Sequence, residues 1–120
     1  MEGMTERRTT TRPLPHHRLL AYDVALQLLV AVRQAEIRDP KLRDQALRAA
    51  KSAALNVAEA AGRVSKADRA RVFAIARGEA MEAAAAVEIA VLAGDAQPAS
   101  LEACLPIADR LVALLTGLAR

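Results

Sequence analysis

Residues 56–82 read NVAEAAGRVSKADRARVFAIARGEAME, and this stretch decides the architecture. An alanine-rich helical run meets Gly62, a residue suited to the left-handed stop at a helix C-terminus. Three residues on, Ser65 stands three before Asp68, a hydroxyl and a carboxylate spaced like a capping box, with Asp in place of the usual Glu. Helix, corner, helix is the reading. Working outward, the same punctuation recurs. Asp39-Pro40 supplies an N-cap with proline at the first helical position, so the helix before the corner starts there and runs to about residue 61. The helix after the corner continues to about residue 93, where Gly94-Asp95 and Pro98 break the chain. Ser100 is placed to cap a last helix to about residue 118, and a first helix spans about residues 19–38. Connections of a few residues between helices of similar length favour antiparallel neighbours. The sequence therefore predicts an all-α, antiparallel, up-down-up-down four-helix bundle over residues 19–120.

Residues 1–18, MEGMTERRTTTRPLPHHR, lack apolar periodicity and carry four arginines, which predicts a flexible basic arm. Adjacent His16 and His17 would point apart on a regular element, and no Cys or further His lies near them, so no metal site is expected.

Composition agrees with helices. Of 120 residues, 29 are alanine and 53% are apolar, while Tyr22 and Phe73 are the sole aromatics. Strands favour aromatic and β-branched residues, and alanine is the best helix former. Apolar content is too high for a disordered chain. No run approaches the roughly 18 uncharged apolar residues of a membrane span, and no apolar segment with a cleavage site opens the chain. Cys104, alone, forms no internal disulfide, which suits a cytoplasmic protein.

Helical projection sorts the faces. In the last helix Leu101, Cys104, Ala108, Leu111 and Leu115 share one side, while Glu102, Asp109 and Arg110 take the other with Pro106, which is expected to bend the helix without breaking it. Cys104 reads as a small core residue. The first helix differs: Asp23, Gln27 and Gln34 form a narrow polar stripe, and the apolar arc is about twice the ~100° that faces a single core. Tyr22, Leu26, Leu29 and Val32 in that arc are the candidate interface with another subunit; the alternative is a monomer that covers the arc itself. In the third helix, Glu82-Ala83-Ala84-Ala85-Ala86 has no bulk, which suits packing on both sides, though alanine is also plain helix filler.

A search for chemistry finds no Glu-x-x-His pair on a helix, no Gly-rich phosphate loop, no Cys-x-x-Cys and no nucleophile–base pair. No enzyme, cofactor or metal is expected. Glu59–Arg63, Asp39–Arg43 and Asp44–Arg48 read as i,i+4 surface pairs. The net charge of +3 resolves into blocks: +2 over residues 1–18, +3 over 38–51, +4 over 63–77 and −6 over 78–109. In an up-down bundle the arm, the 62–65 corner and the C-terminus share one end. Arg7, Arg8, Arg12, Arg18, Arg63, Lys66, Arg69, Arg71 and Arg120 would gather there, with Arg77 about two turns further along. Such a basic end suits phosphate backbones, RNA or DNA, in a salt-dependent way, and the lack of aromatics disfavours base stacking. A solvated charged end with no ligand is the other reading.

The run Asn56-Val57-Ala58-Glu59…Gly62-Arg63-x-Ser65-Lys66, followed by Arg71, Ile75-Ala76, Gly78 and Glu82, resembles the 23S rRNA intervening-sequence protein family, also called the four helix bundle protein family. The resemblance covers about residues 19–119; Ala60, Ala61 and Glu79 depart from its usual glycine, aromatic and small residue. It implies a small antiparallel bundle that assembles as a ring, with pentamers the associated form, and a proposed RNA-binding role. A related bundle, the accessory protein of diversity-generating retroelements, partners a reverse transcriptase, so a partner-docking adaptor is the alternative function. Within the run, Asn56, Glu59, Gly62 and Ser65 read as a structural corner, with Asn56 bonding into the loop. Arg63, Lys66, Arg69, Arg71 and Arg77 are the candidate nucleic-acid contacts.

Overall fold

Each predicted helix forms, and the departures lie at the ends. In the computed structural model, which describes residues 13–120, the helices are α1 (Leu20–Gln34), α2 (Pro40–Gly62), α3 (Lys66–Leu92) and α4 (Pro98–Leu118), with no strand among the described residues. Asp39 caps α2, its Oδ2 accepting from the Leu42 N–H at 2.9 Å, and Ser65 Oγ caps α3 by accepting from the Asp68 N–H at 3.1 Å.

The first helix ends four residues earlier than expected. It stops because Glu36 takes a left-handed backbone, φ 47°, which turns the chain and drops Ile37 into the core at 2% exposure. A left-handed non-glycine residue costs about 1–2 kcal/mol, and burying an isoleucine returns about 1.5–3 kcal/mol, so the reversal is favourable. Gly62 is not the left-handed stop. It is the last helical residue of α2, and the chain leaves through Arg63 in an extended conformation (φ −73°, ψ 146°). Nor does Ser100 cap α4, which begins two residues earlier at Pro98, where a fixed φ suits the first helical position. Pro106 sits on the exposed face, and α4 runs through it unbroken.

The helices form a square. α1 packs on α2 and α4, α3 packs on α2 and α4, α1 only grazes α3, and α2 and α4 do not meet. α2 and α3 make the most extensive pairing, and most of their buried residues are alanines: Ala46, Ala49, Ala53 and Ala60 on α2 are fully buried, as are Ala76, Ala80, Ala83 and Ala90 on α3. Bulk comes from elsewhere, chiefly Val24 and Leu28 of α1, Val57 of α2, Val72 and Val87 of α3, and Leu111 and Leu115 of α4. Cys104 lies fully buried among them, and burial pushes its thiol pKa up.

The end of the N-terminal segment is ordered rather than free. Pro15–Arg18 forms a 3-10 turn packed on α1 and α2. His16 and His17 do not diverge: their ring centroids are 4.2 Å apart, and His16 meets Tyr22 edge-on at 4.7 Å. A tight 3-10 turn, unlike an extended arm, lets neighbouring rings close on the same aromatic. Burial, with the neighbouring His17, lowers the His16 pKa. Arg7, Arg8 and Arg12 lie outside the described residues.

Candidate nucleic-acid interface

The corner between α2 and α3 is built on ion pairs. Arg63 is held between Glu59, one turn back on α2, and Asp68 in the first turn of α3, donating from Nη1 to Asp68 Oδ2 at 3.1 Å. Arg71 reaches Oδ1 of the same aspartate with Nε and Nη2, at 3.2 and 2.9 Å. Arg69 faces the chain itself, its Nη1 donating to the carbonyls of Arg63 (3.2 Å) and Val64 (3.0 Å). Those carbonyls lie just past the end of α2, so Arg69 holds the corner between α2 and α3. Arg77 stands apart, donating from Nε to Thr116 Oγ1 at 2.8 Å; that hydroxyl donates to the Val112 carbonyl, which ties α3 to α4. Lys66 is exposed and makes no hydrogen bond among the described residues.

Of the five candidate contacts, four therefore have structural partners, and Lys66 is the open one. Asn56 does not enter the loop; it donates from Nδ2 to Ser52 Oγ at 3.4 Å, back along its own helix. The pairs Asp39–Arg43 and Asp44–Arg48 do not form, because better acceptors lie nearby. Asp39 is spent as a cap, Arg43 donates to the Ile37 carbonyl, and Arg48 crosses to Glu82 on α3 at 2.8 Å.

The network has an electrostatic signature. The hydrogen bond from Arg71, helped by the charge of Arg63, holds the Asp68 carboxyl below its ordinary range against the opposing effect of desolvation. Glu59, with Asp68, raises the Arg63 pKa further. A carboxyl whose folded pKa is lowered contributes stability that is complete above its unfolded value, about 3.9, and lost as pH falls through the folded value. Asp68→Asn is thus expected to unfold at lower urea than wild type near neutrality, the gap closing as acid protonates Asp68 in the parent. Identical urea midpoints at every pH would show that the network adds nothing to folding.

Arg63, Lys66, Arg69 and Arg71 against Glu59 and Asp68 leave the corner at +2. Arg71 keeps 58% of its side chain exposed and Arg63 38%, so the fixed guanidiniums still present edges to solvent. Among the described residues no cluster of three metal-ligating side chains occurs, and no helix is long and apolar enough to cross a membrane.

The candidate subunit interface divides. Tyr22 and Leu29 are half-buried and Leu26 is exposed, and the three line one groove between α1 and α2 with Leu55. Val32 belongs to the core at 2% exposure and offers no surface. Its Cβ points inward because α1 turns its broad apolar arc toward both α2 and α4.

Fold and corner together define a small all-helical bundle protein with a cation-rich corner locked by carboxylates. Such an arrangement presents fixed charge at the α2–α3 corner. The family model for the 23S rRNA-intervening sequence protein matches residues 18–117, and the chain belongs to that family. Comparison with curated proteins finds no match.

Proposed function

We propose that this chain is a non-enzymatic, cytoplasmic bundle of up-down-up-down, antiparallel topology that assembles with copies of itself into a ring and binds RNA backbone through its basic end. The topology is supported by two contacts. Arg48 in the first half of α2 meets Glu82 in the second half of α3. The Arg38 N–H, between α1 and α2, donates to the Asp95 carbonyl, between α3 and α4, at 2.8 Å. In this topology the α2–α3 corner, the 3-10 turn and the C-terminus share the other end, to which exposed Arg18, Lys66 and Arg120 contribute. A pentamer is the form that the family resemblance suggests.

The observation carrying the RNA reading is the corner itself. Arg63 and Arg71 are fixed in orientation by Glu59 and Asp68, while Lys66 beside them is unengaged. Preorganised guanidiniums lose little freedom on meeting a phosphate. The test is fluorescence anisotropy with a structured RNA at two salt concentrations. Lys66→Ala is expected to weaken binding evenly across RNA sequences and lower the salt slope by about 1, with the melting temperature unchanged. Absence of binding at low salt, or equal affinity for Lys66→Ala, removes the reading. Arg63→Ala is a poorer probe, since it also opens the corner.

An adaptor that docks a partner protein, for example a reverse transcriptase, is favoured by a separate observation: the exposed leucines Leu26 and Leu55 beside the α1–α2 groove. It calls for a stoichiometric protein partner that stays bound after nuclease treatment.

A further inference from the structure

The surface of the subunit has two kinds of edge. The outward faces of α2 and α4 carry charges of both signs, Lys41, Asp44 and Lys51 on one and Glu102, Asp109 and Arg110 on the other, and each has a single large exposed hydrophobic, Leu55 and Leu105. α1 and α3, at opposite corners of the square, differ. On α1, Leu26 and Val30 are 38% and 42% exposed one turn apart, and exposed Arg33 follows. On α3, Met81 and Ile89 are 48% and 53% exposed with Ala85 open between them; of the two carboxylates in that stretch Glu82 is paired with Arg48 and Glu88 is exposed. A helix that is apolar on its outer face as well as its inner one is suited to burying both.

The two edges match in spacing. Leu26, Val30 and Arg33 follow one another at intervals of four and three residues, as do Met81, Ala85 and Glu88. They also match in level. The bond from Arg38 N–H to the Asp95 carbonyl puts the C-terminal ends of α1 and α3 at one end of the bundle, and Arg33 and Glu88 each lie about one turn or less from those ends. Neither Arg33 nor Glu88 has an ion-pair partner among the described residues. A rotation about an axis along the bundle preserves level and direction, so the two edges of neighbouring copies would meet without sliding.

We propose that the α1 edge of one subunit docks on the α3 edge of the next, with Arg33 facing Glu88, Val30 facing Ala85 and Leu26 facing Met81. Large residues then meet small ones along part of the seam, and opposite charges close it. The contact joins two different surfaces, so each added copy leaves one edge of each kind open until the chain of subunits closes on itself. This rests on the reading that the protein self-assembles, and it specifies the pair of surfaces.

Analytical ultracentrifugation of mixed variants tests it. Leu26→Asp and Met81→Asp are each expected to sediment as the 12.8 kDa subunit. Mixed in equal amounts they are expected to form a dimer of twice that mass, because the first keeps its α3 edge and the second its α1 edge. Arg33→Glu and Glu88→Arg are each expected to weaken assembly, and the double variant to restore it; these exposed substitutions keep the test decisive if an aspartate variant fails to fold. Wild-type protein that assembles while Met81→Asp does so equally well, or a folded mixture that stays monomeric, overturns the edge assignment alone. Wild-type protein that is monomeric overturns the self-assembly reading with it.

Discussion

Replacing Ala53 with leucine is expected to lower the midpoint of thermal unfolding by roughly 4–12 °C. Ala53 is fully buried in α2, whose packing on α3 is the most extensive helix pairing in the molecule. Most buried residues of both helices are alanines, which let backbones approach where larger side chains would hold them apart. Extra methylenes in a filled interior force side chains off their rotamers or shift the backbone, at a cost of about 1–3 kcal/mol; for a domain of this size each kcal/mol moves the midpoint by about 4 °C. Ala85→Leu is the control. Ala85 is exposed on the outer face of α3, so the subunit should melt as before while the assembly changes. An Ala53→Leu protein melting at the wild-type temperature would mean the α2–α3 seam has room to spare.

Leu111→Ala is expected to cost about 2–5 kcal/mol, a large share of the roughly 5–15 kcal/mol by which a domain is stable. Leu111 is fully buried on α4, and with Leu28 and Leu115 it supplies bulk that the buried alanines lack. A cavity there has few large neighbours able to close over it. Leu55→Ala provides the contrast: Leu55 is 71% exposed, and its truncation should alter stability by no more than about 0.5 kcal/mol. Urea unfolding of both, with the slope unchanged, measures the difference. Equal midpoints for the two variants would show that Leu111 is not part of the packed core.

Local chemistry was legible at two helix starts, though not at Gly62 or Ser100. Asp39 and Ser65 cap the helices they precede, and Pro40 starts one, because a cap needs only the three residues that follow it. Glu36 shows the limit. Nothing in its neighbours marks a left-handed residue, and it adopts that backbone because the reversal buries Ile37 among other helices. The arginines show a related limit. Counting along the chain identified a cluster of cations, but it could not tell that Arg69 would bond the corner carbonyls or that Arg77 would reach Thr116, 39 residues away. Lys66 is the candidate whose freedom survives folding. The apolar edges went the same way. The arc on α1 drew attention because it is wide, yet most of it is covered by α2 and α4, and Val32 disappears into the core. The run of alanines on α3 was noted as suiting contact on both sides, and it is Met81, Ala85 and Ile89 there that stay open.

By itself the sequence determined that this is an alanine-rich, four-helix protein of the 23S rRNA-intervening sequence family, with its charges parted into basic and acidic stretches. The helices follow from propensity, capping and periodicity, which act over a few residues at a time, while the family rests on the resemblance carried by residues 56–82 and on the family model's match. Only the tertiary structure decided which cations are spent on carboxylates and carbonyls, which apolar residues are covered, and that the open edges lie on opposite helices. The Glu59–Arg63 pair was legible at its i,i+4 spacing, but the bonds from Arg48 to Glu82 and from Arg77 to Thr116, like the covering of apolar faces, depend on what a side chain meets across the bundle, at separations that no local pattern encodes.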